Sequence, residues 1–327
     1  NNYVPMLTTT IYSMLKNASK DRSYDVIVLE RNISDENKQH IRQFFERFPN
    51  AVIRFFDVSR YLAGFNLTTS NAHISIETYY RFIIQEALPF YSKLLYLDCD
   101  LVVNGDVAEL FDIELGDNAI AAVPDIDFIG NLNMKNGERA GYVRKQLHMR
   151  DAYGYFQAGV LVMNLERMRK IHTVHEWLEI ASKPGYIYND QDILNVECEG
   201  LVTYLDYSWN VMHNCAGRVN GMHLRAAAGE VCLLIFQQTP LRPQRDHDEL
   251  RAQRQHALRA LLRAAVPEEL RLLIADLDDI RLRKAPEDLF PCLLLCFPQR
   301  GAVIGVVGDE PAVRAGIGRG LLRGRAG

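Results

Sequence analysis

Tryptophan is scarce in this chain, with two in 327 residues, and neither tyrosine nor tryptophan occurs after Trp209. Lysine also gives out. Eight lysines accompany twelve arginines through Asn214, but one accompanies sixteen from Cys215 onward. Such a break marks either a domain boundary or a change of origin, for instance a frame-shifted reading of a GC-rich gene. No apolar run approaches the ~18 residues of a membrane span, and no charged-then-apolar signal segment opens the chain. Cysteine is sparse as well: of the six, at 99, 198, 215, 232, 292 and 296, one close pair (Cys292 and Cys296) has no second pair to join it. That fits reduced thiols in a cytoplasm better than a disulfide framework or a zinc site. An excess of basic charge is missing too, with a net charge of -4 and a pI near 6.2, which excludes a general nucleic-acid binder. The chain opens at Asn1 without methionine, as a fragment would.

What is present is a globular composition, 48% hydrophobic and 24% charged, long enough for one large domain or two ordinary ones. The first 214 residues alternate two periodicities. "YDVIVLE" (24–30) and "AVIRFFDV" (51–58) read as buried strands, with a helix between them capped by Ser34. "ISIETYYRFIIQEALP" predicts a helix closed by Pro89, with Arg81 off its apolar stripe. "KLLYLD" and "AIAAVPD" read as strands, "AGVLVMNLERM" as strand into helix, and "DQDILNVECEG" as a helix ended by Gly200. Strands alternating with helices predict an α/β fold, a nucleotide-binding layer of mainly parallel strands flanked by helices. Ligands of such sheets bind at the carboxyl ends of strands.

"KLLYLDCDLVVNGD" puts two carboxylates, Asp98 and Asp100, at one such end. An Asp-x-Asp there has three readings. It can be a turn whose short side chains satisfy local amides. It can be a phosphatase nucleophile and acid, which need further partners downstream. Or it can be a divalent cation site that grips a diphosphate, since hard oxygens suit Mn²⁺ or Mg²⁺.

Context favours the last reading. "YYRFIIQEALPFYSKLLYLDCDLVVNGDVAELFDIELGDNAIAAVPD" resembles the core of glycosyltransferase family 8, the retaining, metal-dependent transferases. The resemblance runs from Asn1 to about Asn214, with "NNYVPMLTTTIYSMLKN", "YFQAGVLVMNLERMR", "YNDQDILN" and "LDYSWNVM" in family order. It implies a nucleotide-diphospho-sugar transferase fold whose first strand is missing here. It implies Mn²⁺ or Mg²⁺ at Asp98 and Asp100, with Cys99 near the ribose. Asn2 and Tyr3 match positions that hold uracil and ribose, and Arg81 matches an arginine near the donor sugar. Asp125 and the Gln157-Ala158-Gly159 turn match binders of sugar hydroxyls. Asp190 and Gln191 match residues facing the reacting anomeric carbon. The expected partners are a uridine diphosphate sugar and a saccharide or glycolipid acceptor of lipopolysaccharide type, with no nucleic acid. For Arg81 and Asp190 plainer readings stand beside these: a surface helix residue and a helix N-cap. Tyr79, Tyr80 and Trp209 read as core.

The family's later signature, His-x-x-Gly-x-x-Lys-Pro-Trp, is degenerate in "IFQQTPLRPQRDH". Gln237 stands at the third metal ligand and Arg242 at the diphosphate lysine, so a sugar-nucleotide-binding protein impaired in catalysis is the alternative reading. Residues 1–245 are expected to form the transferase domain, 246–286 a helical extension and 287–327 a Gly/Arg-rich tail. Within that tail "RGAVIGVVGDEPAVRAGIGRG" reads as strand, glycine turn and helix. The phosphatase reading needs Asp276, Asp278, Asp279, Lys284 and Asp309, all far along the chain from Asp98. The arginine-rich end reads as solvated charge, with contact to acidic lipids at the inner face of a membrane as the alternative.

Overall fold

The computed structural model of the protein describes residues 3–70, 75–134 and 137–212, together with the backbone of two short strands, Leu233–Ile235 and Val303–Val306. The helical extension at 246–286 and the phosphatase residues from Asp276 to Asp309 lie outside the described residues. Ten strands are described: β1 Tyr24–Glu30, β2 Ala51–Asp57, β3 Lys93–Leu97, β4 Leu101–Val103, β5 Ile120–Pro124, β6 Phe156–Asn164, β7 Val202–Tyr204, β8 Val211–Met212, β9 Leu233–Ile235 and β10 Val303–Val306. Seven of them form one sheet in the order β2-β1-β10-β3-β6-β5-β7. Five run in one direction, and β6 and β10 run against them. β10, the strand read in the Gly/Arg-rich tail, lies between β1 and β3 and pairs antiparallel with both.

Both faces are covered at the centre of this sheet, so β1, β3, β5 and β6 are built on apolar runs. β2, expected as a buried strand, is instead a partly exposed edge strand, with Val52 59% exposed. Alternate side chains enter two separate cores, as a period of two requires. Val26, Val28, Leu95, Leu97, Val160 and Val162 pack toward the opening helix, Val4–Asn17, and the helix Asp35–Phe45. Ile27, Leu29, Leu94, Tyr96, Leu161 and Met163 pack on the other face with Trp177, Leu178 and Ile193. There Phe82 stacks on the fully buried Trp177 with ring centroids 5.0 Å apart. Tyr79, Tyr80 and Trp209 are core residues, as expected.

Local chemistry explains the element ends. Ser34 accepts a hydrogen bond from the Asn37 amide and starts the Asp35–Phe45 helix. The helix Asp190–Glu197 is followed by Gly200, whose φ of 80° is the left-handed conformation that suits glycine. The expected helix around Arg81 is corrected: Ile76–Phe82 is a 3₁₀ helix, followed by one α-helical turn at Ile84–Ala87. With three residues per turn, Thr78 and Arg81 eclipse each other and point the same way. In a 3.6-residue turn they would still be neighbours but offset by roughly 60°.

Among the described residues no helix is long and apolar enough to cross a membrane.

Candidate active site

Antiparallel β6 is what gathers the site. Its first residues sit beside the last residues of β3 and β5, with Val160 opposite Leu97 and Phe156 opposite Pro124. Asp98 and Asp125 follow directly on those two strand ends. Gln157, Ala158 and Gly159, expected as a turn, are instead strand residues at the start of β6, and Gln157 is buried. The ends of three interior strands thus meet at one place.

Arg81 holds the centre. It is 3% exposed, so the surface-residue reading is overturned. Its Nη2 lies 3.2 Å from Asp98 Oδ1 and its Nε 2.9 Å from Asp190 Oδ2. Nη1 donates to the Ala158 carbonyl, and the guanidinium lies 4.4 Å from the centre of the Tyr96 ring. Burial works against its charge, but Asp190, Tyr96 and Asp98 more than offset that and raise its pKa. Thr78 donates its hydroxyl to the other Asp190 oxygen. Asp190 is therefore no N-cap: it is the first residue of its helix, behind Asn189, and both its oxygens are engaged. Burial pushes its carboxyl up to about 6, with Arg81 pulling the other way.

Gln191 joins the start of β6 to the end of β5. Its Oε1 accepts from the Ala158 amide at 3.1 Å, and its Nε2 donates to Asp125 Oδ2 at 2.9 Å. Asp125 also caps its own helix, accepting from the Phe128 amide at 2.9 Å, and burial raises its pKa. Tyr155, stacked on Phe128, contributes its hydroxyl to Asp192 at 2.6 Å and lies 3.4 Å from Gln191 Nε2. Asn189, at a φ of 50°, precedes this turn, a strained backbone of the kind that clusters at functional sites.

Asp98 and Asp100 differ in their surroundings. Tyr96, two residues back on the same strand face, donates to Asp98 Oδ1 at 2.6 Å. Burial still raises the Asp98 pKa, against the pull of Arg81. Among the described residues no cation pairs with Asp100, which is 7% exposed. Its carboxyl is pushed up to about 8, first by burial and then by Asp98. A buried carboxylate with no counter-charge is costly unless a cation arrives. Two hard oxygen donors of this kind fit Mn²⁺ or Mg²⁺, whose sites commonly use one or two carboxylates and take their other ligands from substrate phosphates and water. Among the described residues no group of three or more His, Cys, Asp or Glu is arranged to hold a metal.

The sequence profile of glycosyl transferase family 8 matches residues 1–232. The chain belongs to glycosyltransferase family 8. Two solved structures share its fold. Galactosyltransferase LgtC, crystallised with donor and acceptor sugar analogues, is 32% identical with a TM-score of 0.59, over 83% of this chain and 96% of LgtC. The bifunctional glycosyltransferase WbbM is 30% identical with a TM-score of 0.64, over 73% of this chain and 44% of WbbM. A lipopolysaccharide 1,2-glucosyltransferase of Escherichia coli is 28% identical over 204 residues, 60% of this chain and 55% of that protein. Against three other curated relatives the chain spans 60%, 47% and 65% of their lengths.

Of the residues expected to matter in this family 8 chain, Arg81, Asp98, Asp125, Ala158, Gly159, Asp190 and Gln191 form one connected network, in which the Gly159 carbonyl accepts from the Asp98 amide at 2.9 Å. The Cys99 side chain packs in the apolar core. Tyr3 is half-buried ahead of the opening helix. Asn2, Gln237 and Arg242 lie outside the described residues. β9 ends at Ile235, which is paired with Leu101, the residue after Asp100. Thr78, Tyr96 and Tyr155 were not expected. Tyr96 had a legible signal in its two-residue spacing from Asp98, whereas Thr78 needed the 3₁₀ geometry.

Proposed function

We propose that this chain is a retaining, metal-dependent hexosyltransferase that moves glucose or galactose from a uridine diphosphate sugar to a hydroxyl of a saccharide or glycolipid acceptor. The observation that carries the reading is the buried chain Asp100, Asp98, Arg81, Asp190, with Gln191 and Asp125 beside it, at the carboxyl end of β3. One end is a carboxyl without a counter-charge, suited to a cation, and the other is a set of fixed polar groups suited to a sugar.

Asp98 and Asp100 would hold a divalent cation, which when bound would supply positive charge to offset that of the departing diphosphate. The protein's own groups do the rest. Arg81 fixes Asp98 on one side and Asp190 on the other, so both carboxylates stay in one geometry without reorganising during the reaction. Asp125 and Gln191 offer an acceptor and an amide to hexose hydroxyls. With both its oxygens engaged, Asp190 favours orienting the sugar over attacking it. Front-face attack by the acceptor hydroxyl then accounts for retention.

Proton NMR of the hexose first released from a uridine diphosphate hexose in the presence of Mn²⁺ tests this: the α-anomer is expected, and a β-anomer refutes the assignment. Absence of any turnover, with donor binding intact, would instead favour a sugar-nucleotide-binding protein. Gln191→Ala is expected to lower kcat by roughly 10- to 100-fold with little change in donor affinity, because its amide sits beside the reacting groups rather than the diphosphate. Steady-state kinetics against a matched calorimetric titration separates the two.

A further inference from the structure

The helix Val4–Asn17 carries Thr10, Ser13 and Asn17 at i, i+3 and i+7, hence on one face. That face lies along β4, and the three side chains do what a neighbouring strand would otherwise do. Asn17 Nδ2 donates to the Val103 carbonyl at 2.8 Å, and Ser13 Oγ accepts from the Val103 amide at 3.0 Å. Thr10 Oγ1 accepts from the Leu101 amide at 3.0 Å and shares its proton between the Cys99 carbonyl at 2.8 Å and the Leu101 carbonyl at 2.9 Å.

Thr10 differs from the other two in where it reaches. Cys99 is the residue between the two carboxylates, and Thr10 is fully buried against it. On the opposite side the Asp98 amide is tied to Gly159 of β6 at 2.9 Å. The Asp98–Asp100 segment is thus pinned twice, once by the sheet and once by a hydroxyl on the opening helix. The gap between its carboxylates depends on both pins.

We infer that Thr10 is a positioning residue that sets the Asp98–Asp100 spacing for a divalent cation. The inference rests on the metal-dependent function proposed above. It also links the opening of the chain, where Tyr3 precedes this helix, to the far end of the same site. A side-chain hydroxyl that orients a ligand-bearing segment typically matters by about 10- to 100-fold in metal affinity.

The test is Mn²⁺ binding to the full chain with uridine diphosphate present, read by electron paramagnetic resonance, alongside thermal unfolding. Thr10→Val removes the hydroxyl and keeps the shape. It is expected to weaken Mn²⁺ binding about tenfold, with Thr10→Ser restoring it. Ser13→Ala removes an equivalent strand contact farther from the carboxylates and is expected to lower Tm while leaving Mn²⁺ affinity unchanged. If Thr10→Val does not fold, Thr10→Cys, a weaker donor of similar size, is expected to show the same loss in smaller degree. Equal Mn²⁺ affinity in wild type and the folded Thr10 variant, or equal losses from Thr10 and Ser13 variants, overturns the inference alone. Absence of Mn²⁺ binding by the wild type overturns the underlying function with it.

Discussion

Asparagine in place of Asp100 is expected to stabilise the metal-free protein while lowering its Mn²⁺ affinity by on the order of 100-fold or more. The two effects share one cause. The Asp100 carboxyl is raised to about 8 by burial and by Asp98, so folding favours its protonated form. A carboxyl whose pKa is higher folded than unfolded contributes its full stability below the unfolded value near 4. It loses that contribution as pH rises through the folded value. The metal-free wild type should therefore lose stability between about pH 4 and pH 8, and Asp100→Asn should lose less. Each kcal/mol of relieved repulsion is worth about 2–4 °C in Tm for a domain of roughly 150–250 residues, and less for a larger one. Thermal unfolding at pH 5 and pH 8, with and without Mn²⁺, gives the check. Mn²⁺ should raise Tm for the wild type at pH 8 and leave the variant unmoved. A variant that is less stable than the wild type at pH 8 without metal would show that Asp100 is held by interactions other than those described.

Replacing Arg81 should do the opposite and be the most damaging single change in the site. Arg81 meets Asp98, Asp190, Thr78 and Ala158 from inside the protein. Arg81→Met keeps much of the apolar stem and leaves two buried carboxylates without their cation, at a cost of about 3–5 kcal/mol. Arg81→Lys should rescue little, because a single ammonium cannot reproduce a planar fork with four acceptors. Chemical denaturation measures the loss. The pair Arg81→Met with Asp190→Asn should be less destabilised than the sum of the single changes, since each removes a charge the other leaves exposed. Additive losses would mean that the Arg81–Asp190 contact contributes nothing of its own.

How far the sequence could be read depended on whether a residue's role followed a period. β1 was legible because Val26, Ile27, Val28 and Leu29 form an unbroken apolar run between the charged Asp25 and Glu30. Asp98 and Asp125 were legible as strand ends, since each follows an apolar stretch directly. Arg81 could be placed on a helix but not inside the protein. Helical periodicity assigned it to a polar face, and only the 3₁₀ turn aims it inward with Thr78. The family resemblance reads Gln157, Ala158 and Gly159 as a turn, although the apolar pattern of "AGVLVMNLERM" already reads as a strand from Ala158 onward. Here an antiparallel strand runs through them, and strand direction leaves no trace in a local pattern. Thr10 was invisible for a related reason. A threonine in an amphipathic helix looks ordinary until a strand 91 residues away is laid against it.

The central claim is that a uridine diphosphate is held through a cation on Asp98 and Asp100. Calorimetric titration of uridine diphosphate into the full chain, once with Mn²⁺ and once with EDTA, tests it most directly. The account predicts binding that depends on Mn²⁺ and disappears in Asp100→Asn. Equal affinity with Mn²⁺ and with EDTA would contradict it.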